Sequence, residues 1–142
     1  MNDKKIKAAV IFEMMGRPPE HLKETMNKLI DTIGQEKGVN ILKKKIHEVK
    51  KIENKDAQGN PLVKEGELFS TFSEIEIEAE GIMVLLLIAF KYLPAHMEVS
   101  YPERFEMDNI DINTIVNEIL SKVHNYDTIA KGALMNNQAL AN

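Results

Sequence analysis

The chain has 142 residues, with 18 Lys and Arg against 22 Asp and Glu, and so a formal charge of −4. Hydrophobic residues make up 44% and charged residues 28% of it, the balance of an ordinary globular domain, which excludes a disordered, collagen-like or low-complexity chain. It contains no cysteine, so disulfides, thiolate metal centres and a cysteine nucleophile are excluded together. The start, Met1-Asn2-Asp3-Lys4-Lys5, leads into only a short apolar stretch and lacks a secretory pattern, so a cytoplasmic location is expected.

From Lys5 to Met14 apolar residues alternate, with Ile6, Ala8, Val10, Phe12 and Met14 on one side and Ala9 and Ile11 in the middle of the other. That pattern predicts an interior strand, apolar on both faces at its centre. Gly16-Arg17-Pro18-Pro19 breaks it and opens a helix, where a proline's missing N–H costs nothing. Leu22, Met26, Leu29, Ile30 and Ile33 then recur at helical spacing, and Gly34 reads as the C-terminal cap. Val39 to Ile52 alternates less tidily, since Val39 and Ile41 fall on one side and Leu42 and Ile46 on the other; either a bulge or a change of buried face explains this. Asn54 to Gly66 is rich in turn formers and reads as a hairpin connection with a mobile tip.

Leu68 to Glu80 alternates most cleanly, with Phe69, Thr71, Ser73, Ile75, Ile77 and Ala79 opposed to Glu74, Glu76, Glu78 and Glu80. Ile82 to Leu93 follows as a nearly all-apolar segment bracketed by Gly81 and Pro94, too short to span a bilayer and so read as a buried helix. His96 to Tyr101 alternates as a last short strand, with Met97, Val99 and Tyr101 sharing a side. After an acidic connection, Ile112, Val116, Ile119, Val123, Tyr126 and Ala130 recur at spacings of four and three, giving a helix of about twenty residues capped by Asn109 or Asp111. We expect one domain over residues 1–134 and a flexible tail over 135–142.

Strand, helix, strand, strand, helix, strand is the order of an α+β ferredoxin-like sandwich (βαββαβ), here with an additional C-terminal helix. In that arrangement the first and third strands are central. Over residues 5–102 the order resembles the ferredoxin-like group and, within it, small regulatory modules of the ACT kind; Gly16-Arg17 only approximates the glycine-containing ligand loop of such modules.

Few residues point to chemistry. Glu74, Glu76, Glu78 and Glu80 could bind a divalent cation or act as acid and base, but Lys43, Lys44 and Lys45 in the preceding strand offer cross-strand ion pairs that account for them. Gly16 and Arg17, at a helix start, are the candidate site for a small anionic ligand. His21, His47, His96 and His124 lack the short spacing of a metal-binding helix, although His47 can lie beside the glutamates. No catalytic constellation, metal site or cofactor is expected.

The apolar helix cannot bury Val84, Leu87 and Leu93 in the same direction as Leu85, Ile88 and Tyr92, so a second surface must cover the remainder. The seam Ile112, Val116, Ile119, Val123 and Tyr126 is either that cover or a contact with a second subunit. The expected function is therefore a small non-catalytic binding or adaptor domain that forms a homo-oligomer or docks on a protein partner. Two alternatives are a small enzyme using Arg17 with Glu13, Glu74, Glu76 or His47, and a protein associated with RNA through the Lys43 to Lys51 strip. The negative charge and the glutamate face argue against nucleic acid, and no membrane association is expected.

Overall fold

The structure is a computed structural model that describes residues 5–52, 58 and 67–141. Among them the chain forms β1 (Ile6–Gly16), α1 (Pro19–Gly34), β2 (Val39–Ile46), β3 (Lys50–Ile52), β4 (Leu68–Ala79), α2 (Ile82–Tyr92), β5 (His96–Tyr101) and α3 (Asn109–Ala141). The hairpin connection expected over Asn54 to Gly66 lies outside the described residues, apart from position 58. Two compact units result: Asn2–Arg104 holds the sheet, α1 and α2, and Phe105–Asn142 holds α3.

All strand pairings are antiparallel. The path through the sheet is β2-β4-β1-β5, and short β3 also pairs with β4. The central strands are therefore β1 and β4, the first and the third of the long predicted strands. Their alternation works as the sequence requires: Ile6, Ala8, Val10 and Phe12 of β1 and Ile75 and Ile77 of β4 are buried in one cluster with Met26, Ile30 and Ile33 of α1 and Leu85 and Ile88 of α2. Both helices thus cover the same face. Each large side chain buried there contributes roughly 1.5–3 kcal/mol.

Two buried hydroxyls in β4 are satisfied, because Ser73 Oγ donates to Met26 Sδ at 3.2 Å and Thr71 Oγ1 donates to the His47 carbonyl at 2.8 Å. No buried side-chain nitrogen or oxygen lacks a partner among the described residues.

Several boundaries differ from the sequence reading. The change of face in β2 is a bulge, since the register against β4 shifts between Ile41 and Lys43 and leaves Leu42 without an opposite residue. Another shift occurs between Lys7 and Ala8 against β5, so Tyr101 stands opposite Lys7 while Val99 stands opposite Ala8. Tyr101 consequently leaves the side it shares with Met97 and Val99 in a plain alternation, and Lys7 lies 5.9 Å from its ring centre. Gly34 closes α1 from inside the helix; the glycine with left-handed backbone is Gly38, at φ 84°. The start of α3 is capped by neither expected residue, because Asp108 Oδ1 accepts the Asp111 N–H at 2.9 Å. At 33 residues α3 is also longer than its seam alone predicts.

A polar clasp joins the end of α1 to the end of α2. Glu36 Oε1 accepts from Lys91 Nζ at 2.6 Å and from Tyr92 Oη at 2.5 Å. The hydrogen bond from Lys91, then that from Tyr92, lowers the Glu36 pKa, and the same carboxylate raises that of Lys91. A carboxyl depressed on folding stabilises above its unfolded pKa and loses that contribution as pH falls through the folded value; the raised Lys91 loses its own only in strong alkali. Glu36→Gln should therefore lower the thermal midpoint at pH 7, and its difference from the parent should shrink near pH 3. Melting curves at the two pH values check this, and an equal difference at both would contradict it.

The C-terminal end of α2 is closed by Leu93 in left-handed conformation, φ 49° and ψ 61°, its N–H donating to the Ala89 carbonyl. Its side chain is 66% exposed.

Candidate functional site

The sheet face turned away from α1 and α2 carries the polar pattern. On β4 it presents Phe72, Glu74, Glu76 and Glu78; opposite them stand Glu13, Ile11, Ala9 and Lys7 of β1. From β2, Lys45 stands opposite Glu74, Lys43 opposite Glu76 and Asn40 opposite Glu78. Glu76 lies 3.9 Å from Lys43 and Glu78 3.3 Å from Lys5, so these half-buried glutamates are engaged in ion pairs with exposed lysines. Lys44 points to the helix side instead, where its Nζ reaches Asn27 Oδ1 at 3.3 Å. Lys51 pairs with Glu67 at 2.7 Å.

His47 is the most constrained group on this face. Nε2 lies 2.9 Å from Glu74 Oε2, and the imidazole stacks on Phe72 with ring centres 3.8 Å apart and planes inclined by 16°. Its backbone N–H donates to the Phe72 carbonyl at 2.9 Å, while its own carbonyl accepts from Thr71. When Nε2 carries the proton it donates to the carboxylate, an arrangement that can hold or pass a proton. Glu13 stands opposite Phe72, so it borders the same stack. The place of His47 beside a glutamate follows from the sequence, whereas the stack does not; an exposed Phe72 within the glutamate alternation is the signal that could have found it.

Gly16 and Arg17 lie elsewhere. Gly16 ends β1, and a Cβ there would meet Leu22 Cδ2 at 3.3 Å. Arg17 is exposed, and extended Pro18 precedes a first turn that contains Pro19 and Glu20. The His21 N–H donates to the Pro18 carbonyl at 3.1 Å. Proline has no N–H and Glu20 is anionic, so this helix start offers an anion fewer donors than an ordinary one. Arg17 follows the last residue of β1 and so lies outside the strand pairing that sets His47 beside Glu74.

Of the residues expected at a contact surface, Val84 is half-buried against the core, while Leu87 and Leu93 are 41% and 66% exposed. On α3, Ile112, Val116, Val123 and Tyr126 are exposed and Ile119 is half-buried. A surface hollow of about 470 Å³ lies between α1 and β2, lined by Ile30, Asp31, Gly34, Gln35, Ile41 and Lys44. Among the described residues no three His, Cys, Asp or Glu converge as metal ligands, and no helix is long and apolar enough to cross a membrane.

No curated protein and no solved structure matches the chain. One family model does, that of the MJ0538 family, over residues 7–136. Because the match begins in β1 and runs into α3, the chain belongs to the MJ0538 family.

Proposed function

We propose that the chain is a small cytoplasmic, non-catalytic adaptor with a ferredoxin-like βαββαβ core, acting through association with a second copy of itself. The path β2-β4-β1-β5 with α1 and α2 on one face supports the core assignment, since a split βαβ arrangement requires such a path. Exposed apolar surface on α3 carries the functional reading: Val116, Leu120, Val123 and Ile129 are between 48% and 61% exposed along one helix. Patches of that kind mark contact sites in soluble proteins. The polar sheet face supports the same reading, since its glutamates are engaged by Lys43, Lys5 and His47.

Native mass spectrometry at micromolar concentration tests it. The parent should appear at twice the chain mass, and Val116→Asp with Val123→Asp should appear as a folded monomer. A parent that is monomeric and retains no other protein overturns the proposal.

One observation favours a second reading, a small enzyme acting on an anionic substrate: the His47–Glu74 contact backed by Phe72. Its signature is a stoichiometric small molecule on the purified monomer that is lost in His47→Gln and in Glu74→Gln.

A further inference from the structure

The apolar positions of α3 fall into heptads. Ile112, Ile119, Tyr126 and Ala133 occupy one seam position (d), and Val116, Val123 and Ala130 the other (a), over about three heptads or about 32 Å of helix. Ile115, Lys122 and Ile129 then flank the seam on one side (g), and Leu120, Asp127 and Leu134 on the other (e).

In a parallel, in-register pair of helices, each g side chain lies beside the e side chain five residues later on the other helix. Ile115 would meet Leu120 of the second copy, Lys122 would meet Asp127, and Ile129 would meet Leu134. Every flanking position finds a chemical match. Antiparallel helices set g beside g and e beside e, so Lys122 and Asp127 would meet their own kind or an apolar neighbour. A parallel pair slipped by one heptad sets Lys122 against a leucine. Within its own helix Lys122 lies 3.8 Å from Glu118, and Asp127 lies 2.9 Å from Lys131. These are exposed pairs one turn apart, weak enough to be shared with a second helix.

We infer that α3 joins two copies of this chain as a parallel, in-register pair of helices, held in register by reciprocal Lys122–Asp127 contacts. This rests on the homodimeric reading above and adds its orientation and register. Val116 and Val123 at the a positions suit a two-stranded seam, whereas Ile112 and Ile119 at the d positions favour three or four strands, so the number of strands is read from the mass of the oligomer.

The absence of cysteine from the chain makes cross-linking decisive. Val116→Cys and Ala130→Cys, prepared separately and oxidised under mild conditions, should each give a disulfide-linked dimer, because a positions face their own equivalents only in this geometry. Lys122→Asp should weaken the dimer roughly fivefold through its two symmetric contacts, and adding Asp127→Lys should restore it, with helix content by circular dichroism unchanged in both. A dimer in which neither cysteine links to itself overturns this geometry and leaves the proposed function standing. A trimer overturns the two-stranded assignment, and a monomeric parent overturns both proposals.

Discussion

Ile77→Ala should lower the unfolding free energy of the sheet-bearing unit by about 2–5 kcal/mol. Ile77 is fully buried at the centre of β4 and stands opposite Ala8 of β1 and Ile41 of β2. Ala8 has no side chain that could extend into the space left behind, and Ile41 sits beside the register shift that already fixes the course of β2. The loss therefore combines the transfer free energy of the missing carbons with a cavity that its neighbours fill poorly. Against a total stability of about 5–15 kcal/mol, this is a large fraction. Ile77→Val should cost only about 0.5–1.5 kcal/mol. Urea titrations of the three proteins, with unchanged slope, would show the graded series. An alanine variant within about 0.5 kcal/mol of the parent would mean that this face of β4 is not the core.

Gly38→Ala should cost about 1–2 kcal/mol, from the left-handed backbone and the crowding together. With φ at 84°, an added Cβ would lie 3.1 Å from Glu80 Oε2 and 3.3 Å from Val84 Cγ2. Moving the backbone away is resisted, because the Gly38 carbonyl accepts the Glu80 N–H at 2.9 Å. Gly81 provides the contrast: its backbone is extended and nothing stands within 4 Å of a Cβ. Gly81→Ala should therefore cost less, roughly 0.5 kcal/mol, for the poorer N-cap that Ala makes at the start of α2. Equal losses at the two glycines would contradict the placement of Gly38.

The elements whose burial follows a simple period were the legible ones. Ile75, Ile77 and Ala79 alternate with glutamates because β4 is covered on one face only, and Leu22, Met26, Ile30 and Ile33 recur because α1 rests one side on the sheet. The irregularity at Leu42 was visible as a broken alternation. The one that turns Tyr101 was hidden, because a six-residue edge strand gives too few positions to show a shift. At the sites, His47 beside a glutamate could be anticipated from strand pairing. The clasp of Glu36 with Lys91 and Tyr92 could not, since it joins residues 55 and 56 positions apart whose meeting depends on how both helices lie on the sheet. Arg17 shows the opposite failing: its neighbours in sequence form a motif, while the helix start it precedes is built from Pro18, Pro19 and the anionic Glu20.

Leu93 gives the two proposals a handle of an unusual kind. A left-handed helix terminus is the place for glycine, and a leucine there is held at a cost of about 1 kcal/mol. Its exposed side chain returns little of that through packing within the sheet-bearing unit. Leu93→Gly should accordingly raise the thermal midpoint of the isolated chain. If Leu93 also belongs to a contact surface, the same change weakens association, so folding and assembly respond with opposite signs to a single substitution. A variant that melts later yet aggregates or associates less would show that this apolar group serves the encounter between molecules at the expense of the stability of each one.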